Sequence, residues 1–163
     1  MLIRPVIFAL AIGLFSLPAF ARMENQVVGT WRMVSATIDQ DGERRPVYGE
    51  RPNSILIFTQ DMHFAAVMTN ADVPHFASDA RGQGTDDENR RAMANSIGFF
   101  GTYTVDETGA FSGNRVEGST FPNWVGSVRS REQLSLTVEG DRMIERFQRP
   151  AGPRIEILWE RVE

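Results

Sequence analysis

The sequence predicts an all-β domain: eight short antiparallel strands in up-and-down order, closed as a barrel or folded as a sandwich. Three observations predict it. Eight runs rich in β-branched and aromatic residues recur at regular spacing, with Gly or Asp at the bends between them. The chain has 163 residues and no cysteine, so one core must hold the fold without disulfides or thiolate-bound zinc. Only one stretch reads as helix. A barrel is the preferred form, because closure removes the exposed edges of a flat sheet. Several runs are apolar on both faces, Ile55-Leu56-Ile57-Phe58 among them, and that pattern alone leaves barrel and sandwich open.

The elements follow in order. Arg4 precedes an apolar run over residues 6–17, followed by Pro18 and then Ala19-Phe20-Ala21. A positive start, a short apolar centre and an A-x-A ending describe a secretory signal peptide cleaved after Ala21. The reading therefore divides the chain into a leader, 1–21, and a mature domain, 22–163, exported to a periplasm or secreted. The run is shorter than the roughly 20 apolar residues of a spanning helix and ends in proline, so stable membrane insertion is not expected. The strand runs are 27–38, 54–59, 63–69, 100–105, 110–117, 128–138, 142–148 and 155–162. They turn at Asp39-Gln40-Asp41-Gly42, Gln60-Asp61, Glu107-Thr108-Gly109, Glu139-Gly140-Asp141 and Pro150-Ala151-Gly152-Pro153. Between the third and fourth runs, Thr85-Asp86-Asp87-Glu88 forms a capping box. It starts a helix over about 86–97 with its acids in the first turn and Gly98 as its stop. Inserted in a meander after the long polar segment 70–84, this helix is expected to cover one end of the barrel.

Three features together resemble the lipocalin-like domain family of bacterial and fungal proteins, calycin-type barrels related in shape to lipocalins. They are Gly29-Thr30-Trp31 opening the first strand, the stretch Glu117-Gly118-Ser119-Thr120-Phe121-Pro122-Asn123-Trp124-Val125-Gly126, and the C-terminal Leu158-Trp159-Glu160-Arg161. Phe100-Gly101-Thr102-Tyr103-Thr104-Val105-Asp106 is similar as well, and the likeness runs over residues 27–163. It implies an eight-stranded lipocalin-like barrel in which Arg161 stacks on Trp31. An arginine on an indole face is physically sensible. Family members often carry histidine just before the Val116-Glu117 pair, where this chain has Asn114 and Arg115. Chemistry hung on that imidazole does not carry over.

Six residues are candidates for ligand contact: Tyr103, Arg115, Glu117, Phe121, Trp124 and His75. Arg115, Glu117 and Ser119 share one strand face by the period of two, as do Phe99, Gly101 and Tyr103 on the preceding strand. Pointing inward, such faces would give a lumen a guanidinium, a carboxylate and a phenol to orient a polar head or move protons. Pointing outward, Arg115 and Glu117 are solvated surface charges. Phe121 and Trp124 lie in a loop that either gates the barrel mouth or plugs it. His75, in the long loop, has the reach to serve as acid, base or ligand.

Composition excludes several classes. The formal charge is −4 and every basic residue is arginine, so a nucleic-acid partner is not expected and a lysine Schiff base is impossible. His63 and His75, twelve apart, do not make metal-ligand spacing, and no metal or other cofactor is expected. No nucleophile elbow or phosphate loop occurs. Three functions remain. The favoured one is an exported binding protein holding a small, apolar or amphipathic molecule in its barrel. The second is an isomerase or cyclase working in the lumen. The third is a solid barrel acting through protein contacts; a lumen closed by side chains would count against the first two and leave this one.

Overall fold

The computed structural model describes residues 24–148 and 152–162; the signal-peptide reading, 1–21, lies outside the described residues. The chain forms β1 (Gly29–Gln40), β2 (Glu43–Pro46), β3 (Ile55–Phe58), β4 (His63–Thr69), α1 (Asp86–Ala94), β5 (Ser96–Val105) and β6 (Phe111–Ser119). A 3₁₀ turn (Pro122–Trp124), β7 (Val128–Ser130), β8 (Leu134–Glu139), β9 (Arg142–Gln148) and β10 (Arg154–Arg161) complete it. All pairings are antiparallel, in the order β7-β6-β5-β4-β3-β1-β10-β9-β8, with β2 attached to β1 alone. Among the described strands no ladder joins β7 to β8, so the barrel is nearly closed, with β8 lying beside β6 across the seam.

Eight of these strands answer to the eight runs read from the sequence, and two short ones are additional. The run over 128–138 is broken at Arg131-Glu132-Gln133 into β7 and β8. β2 is the return arm of a hairpin that extends β1 beyond the core. Its turn uses Asp41 and Gly42, both at positive φ (57° and 86°), which suits Asp and Gly at a tight reversal. Its residues Glu43-Arg44-Arg45-Pro46 are all exposed.

The helix forms with the capping box as read: Glu88 N–H donates to Thr85 Oγ1, and Thr85 N–H donates to Glu88 Oε2 at 2.7 Å. It ends at Ala94 rather than 97. Ser96 and Ile97 already pair with Thr69 and Met68, and extending the helix would break that ladder. None of its residues is buried, so it touches β5 without supplying core.

Inward-facing residues alternate with outward ones along β3, β4 and β5. Leu56, Phe58, Phe64, Ala66, Met68, Phe99 and Tyr103 are buried. Their rings form a column along the barrel axis. Tyr103 meets Phe58 edge-on at 4.9 Å, Phe58 meets Phe64 at 6.1 Å, Phe64 meets Phe99 at 5.8 Å, and Phe99 meets Trp124 at 5.2 Å. Such tilted and edge-on pairs are the preferred aromatic contacts. They leave about 20 Å³ free in the lumen, the room of one water molecule. The barrel is thus packed along most of its length.

Candidate functional site

One end of the barrel is sealed. Trp31 is fully buried and its indole N–H donates to Val27 O at 2.8 Å. Arg161 lies over its ring at 4.1 Å, as the resemblance implied, and donates from Nη1 to Val28 O at 2.6 Å. Gly29 makes this possible: its φ is +135°, and a Cβ there would collide with the Arg161 guanidinium. Tyr103 belongs to the same end. It is inward and buried, but its hydroxyl donates to Thr59 O at 2.7 Å and accepts from Asn25 Nδ2 at 2.8 Å. A phenol so engaged holds the N-terminal segment in place, its O–H donated and one lone pair used within the protein. Burial also holds its pKa above the ordinary 10.0.

The opposite end, the mouth, is lined by aromatic residues of the 3₁₀ turn. Trp124 is half-buried, with Phe99 edge-on beneath it and Phe121 edge-on beside it at 6.2 Å. Phe121 is 38% exposed and Val125 52%. Arg129 comes from below: its guanidinium sits 4.6 Å from the Trp124 ring centre, 4.9 Å from Phe147 and 5.6 Å from Phe99. The loop therefore plugs the mouth in part and exposes an apolar lip, combining both roles read for Phe121 and Trp124.

Between the ends, three polar residues face an otherwise apolar lumen. Asn114 of β6 pairs with Tyr103 on one side and Arg129 of β7 on the other, and both Asn114 and Arg129 are buried. Glu145 of β9 enters from the other wall, and its Oε2 accepts the Trp159 indole N–H at 2.9 Å. Burial raises the pKa of this carboxyl, opposed by that hydrogen bond and by the Arg129 charge. Tyr48, packed against the core after β2, is pushed up to about 12 by burial and by the Glu145 charge. Asn114 Oδ1 makes no hydrogen bond at all.

Arg115 and Glu117 do not join this group. Arg115 pairs with the outward-facing Thr102, and both charged side chains are exposed on the outer wall. The inward alternative is corrected by two bulges in the β5–β6 ladder, one between Phe100 and Gly101 and one between Thr104 and Val105. The first shifts the phase of β6 and puts Asn114 and Val116 inside; the second shifts it again and brings Phe111 inside. At the first bulge Gly101 lies so close to the Arg115 carbonyl that a Cβ would overlap it. His75 is exposed in the long loop beside Phe76 and Asn89 and does not line the lumen.

Of the six sequence candidates, the fold thus brings only Trp124 and its neighbour Phe121 to the lumen's mouth. Asn114, Arg129 and Glu145 were missed. Glu145 carried a signal: Met143 and Phe147 flank it at the period of two, so its face is apolar. Arg129, between Ser127 and Arg131, carried none.

A larger hollow lies elsewhere, about 560 Å³ on the outside of the sealed end, lined by Glu24, Asn25, Gln60, Asp106 and Glu107 among others. It is an open depression. Its most perturbed carboxylate, Asp106, is held far below the ordinary range by Thr108 and Arg131, which already occupy it. Among the described residues no cluster of His, Asp and Glu is arranged to hold a metal, and no helix is long and apolar enough to cross a membrane. Compared with known proteins, residues 28–159 match the family model described as a lipocalin-like domain. No curated protein and no solved structure matches.

Proposed function

The chain belongs to the lipocalin-like domain family, and from that premise we propose that it is an exported protein that binds a small, largely apolar molecule in the mouth half of its barrel. One observation carries the reading: Asn114, Arg129 and Glu145 converge inside a lumen otherwise walled by Leu, Phe and Met. An apolar cleft with a few placed polar groups is the usual form of a small-molecule site. The free volume of about 20 Å³ means that a ligand gains room by moving the Trp124 lip rather than by filling a standing cavity. The half-buried, loop-borne position of that tryptophan supports such a movement.

A lumen enzyme built on Glu117, Arg115, Tyr103 and His75 loses its basis, because these side chains do not converge. A solid barrel acting through protein contacts keeps two supports, the packed lumen and an apolar outer patch. Ile55, Val67 and Phe100 are 41%, 51% and 55% exposed on adjoining outer strands. Native mass spectrometry of residues 22–163, compared with the denatured mass, separates the two. A reproducible extra mass released by denaturation supports binding. A bare protein that also fails to take up lipids, hemes or aromatic metabolites overturns it in favour of the solid barrel.

A further inference from the structure

Resting on that reading of the lumen, we infer that the ligand is an uncharged single-ring molecule carrying one hydroxyl, a phenol or small aromatic alcohol, whose O–H donates to Asn114 Oδ1. Asn114 is 7% exposed, faces the lumen, and leaves this oxygen without a hydrogen bond. Buried acceptors of this kind are rare, because folding forfeits their bonds to water. The missing partner is a donor. The surrounding wall fixes what the donor is attached to. Phe58, Phe64, Phe99 and Phe111 line it, meeting their neighbours tilted, edge-on or, for Phe111 on Tyr103, stacked, so the wall a ligand would touch is mostly aromatic.

Charge decides the rest. The lumen holds a guanidinium, stacked among three rings, and a carboxyl that accepts from Trp159. An ionised head of either sign would lose its hydration in a space where Arg129 and Glu145 already act on each other. A hydroxyl avoids that penalty. Size follows from the lumen: with about 20 Å³ free, any ring enters only by displacing side chains, so a single ring is the ligand that asks the least movement.

Isothermal titration calorimetry of the protein with phenol, benzene and benzoate at neutral pH tests this. Phenol is expected to bind on the order of tenfold tighter than benzene, the worth of one buried hydrogen bond, and tighter than benzoate. In Asn114→Leu, phenol should fall to the affinity of benzene. If that variant does not fold, the phenol–benzene comparison in the parent protein decides alone. Equal affinity for phenol and benzene overturns the hydroxyl assignment, leaves binding in the lumen standing, and assigns Asn114 Oδ1 to a lone buried water. Tighter binding of benzoate makes Arg129 the anchor and also overturns it. If none of the three binds, even to Trp124→Ala with its lip removed, the lumen-binding reading itself fails.

Discussion

Both ends of the barrel set an arginine over a tryptophan, and the two pairs do opposite work. At the sealed end Trp31 is wholly buried, its indole N–H and the Arg161 guanidinium both donate to backbone carbonyls, and Val27 is fully buried beside it. At the mouth Trp124 rides on a three-residue turn with exposed neighbours. Its arginine is shared among three rings beside an amide oxygen with no partner. The difference lies in what surrounds each pair. Strand ladders and satisfied hydrogen bonds make one a rivet. A loop and an unmet acceptor make the other a cover that can yield.

If this contrast is sound, Trp31→Ala should be the more damaging substitution, costing about 3–5 kcal/mol as removal of a large core aromatic. Urea unfolding followed by circular dichroism measures it, and a loss under about 1 kcal/mol would break the comparison. Trp124→Ala should cost less, about 1–2 kcal/mol, because the side chain is only partly buried. It should also speed the uptake of a hydrophobic dye by stopped flow, whereas Trp31→Ala in its folded fraction should not.

The smallest effect sharpens the mouth-side account through pH. Folding raises the Glu145 pKa above its ordinary 4.5, chiefly by burial. Below 4.5 the group is neutral in both states and its burial carries no charge penalty. As pH rises from there through the raised value, the unfolded chain ionises first and stability is lost. Glu145→Gln keeps an acceptor for Trp159 and removes the titration, so its stability relative to the parent should rise with pH. Urea midpoints at a series of pH values test the sign. The same variant should let the Tyr48 hydroxyl ionise below its present value of about 12, as read by ultraviolet titration.

The architecture was legible because it depends on features that sequence carries directly. Turn residues mark the bends, β-type runs mark the strands, and Thr85 with Glu88 marks the helix start. β2 was not legible because Glu43-Arg44-Arg45-Pro46 packs against no core and so shows no apolar alternation. The site was read less well for a related reason. Period-two reasoning correctly placed Arg115 with Glu117, and Phe99 with Tyr103, but it cannot choose which face is inside when bulges reset the phase along β6. Asn114 and Arg129 became neighbours only through the β6–β7 pairing, a long-range fact. Trp31 and Arg161 were paired by resemblance, and no local pattern would have joined residues so far apart.

The unlaced seam between β7 and β8 gives the molecule a mechanical property that a fully laced cylinder lacks. In a closed barrel the number and stagger of the strands fix the girth, and widening it means tearing backbone hydrogen bonds. Here the wall is a split ring: no described ladder laces β7, which carries Arg129, to β8, and the two are joined only at one end by the turn Arg131-Glu132-Gln133, so widening along that line breaks no ladder bond. Any give in the circumference is thereby confined to one line, with ladder hydrogen bonds resisting it everywhere else among the described strands.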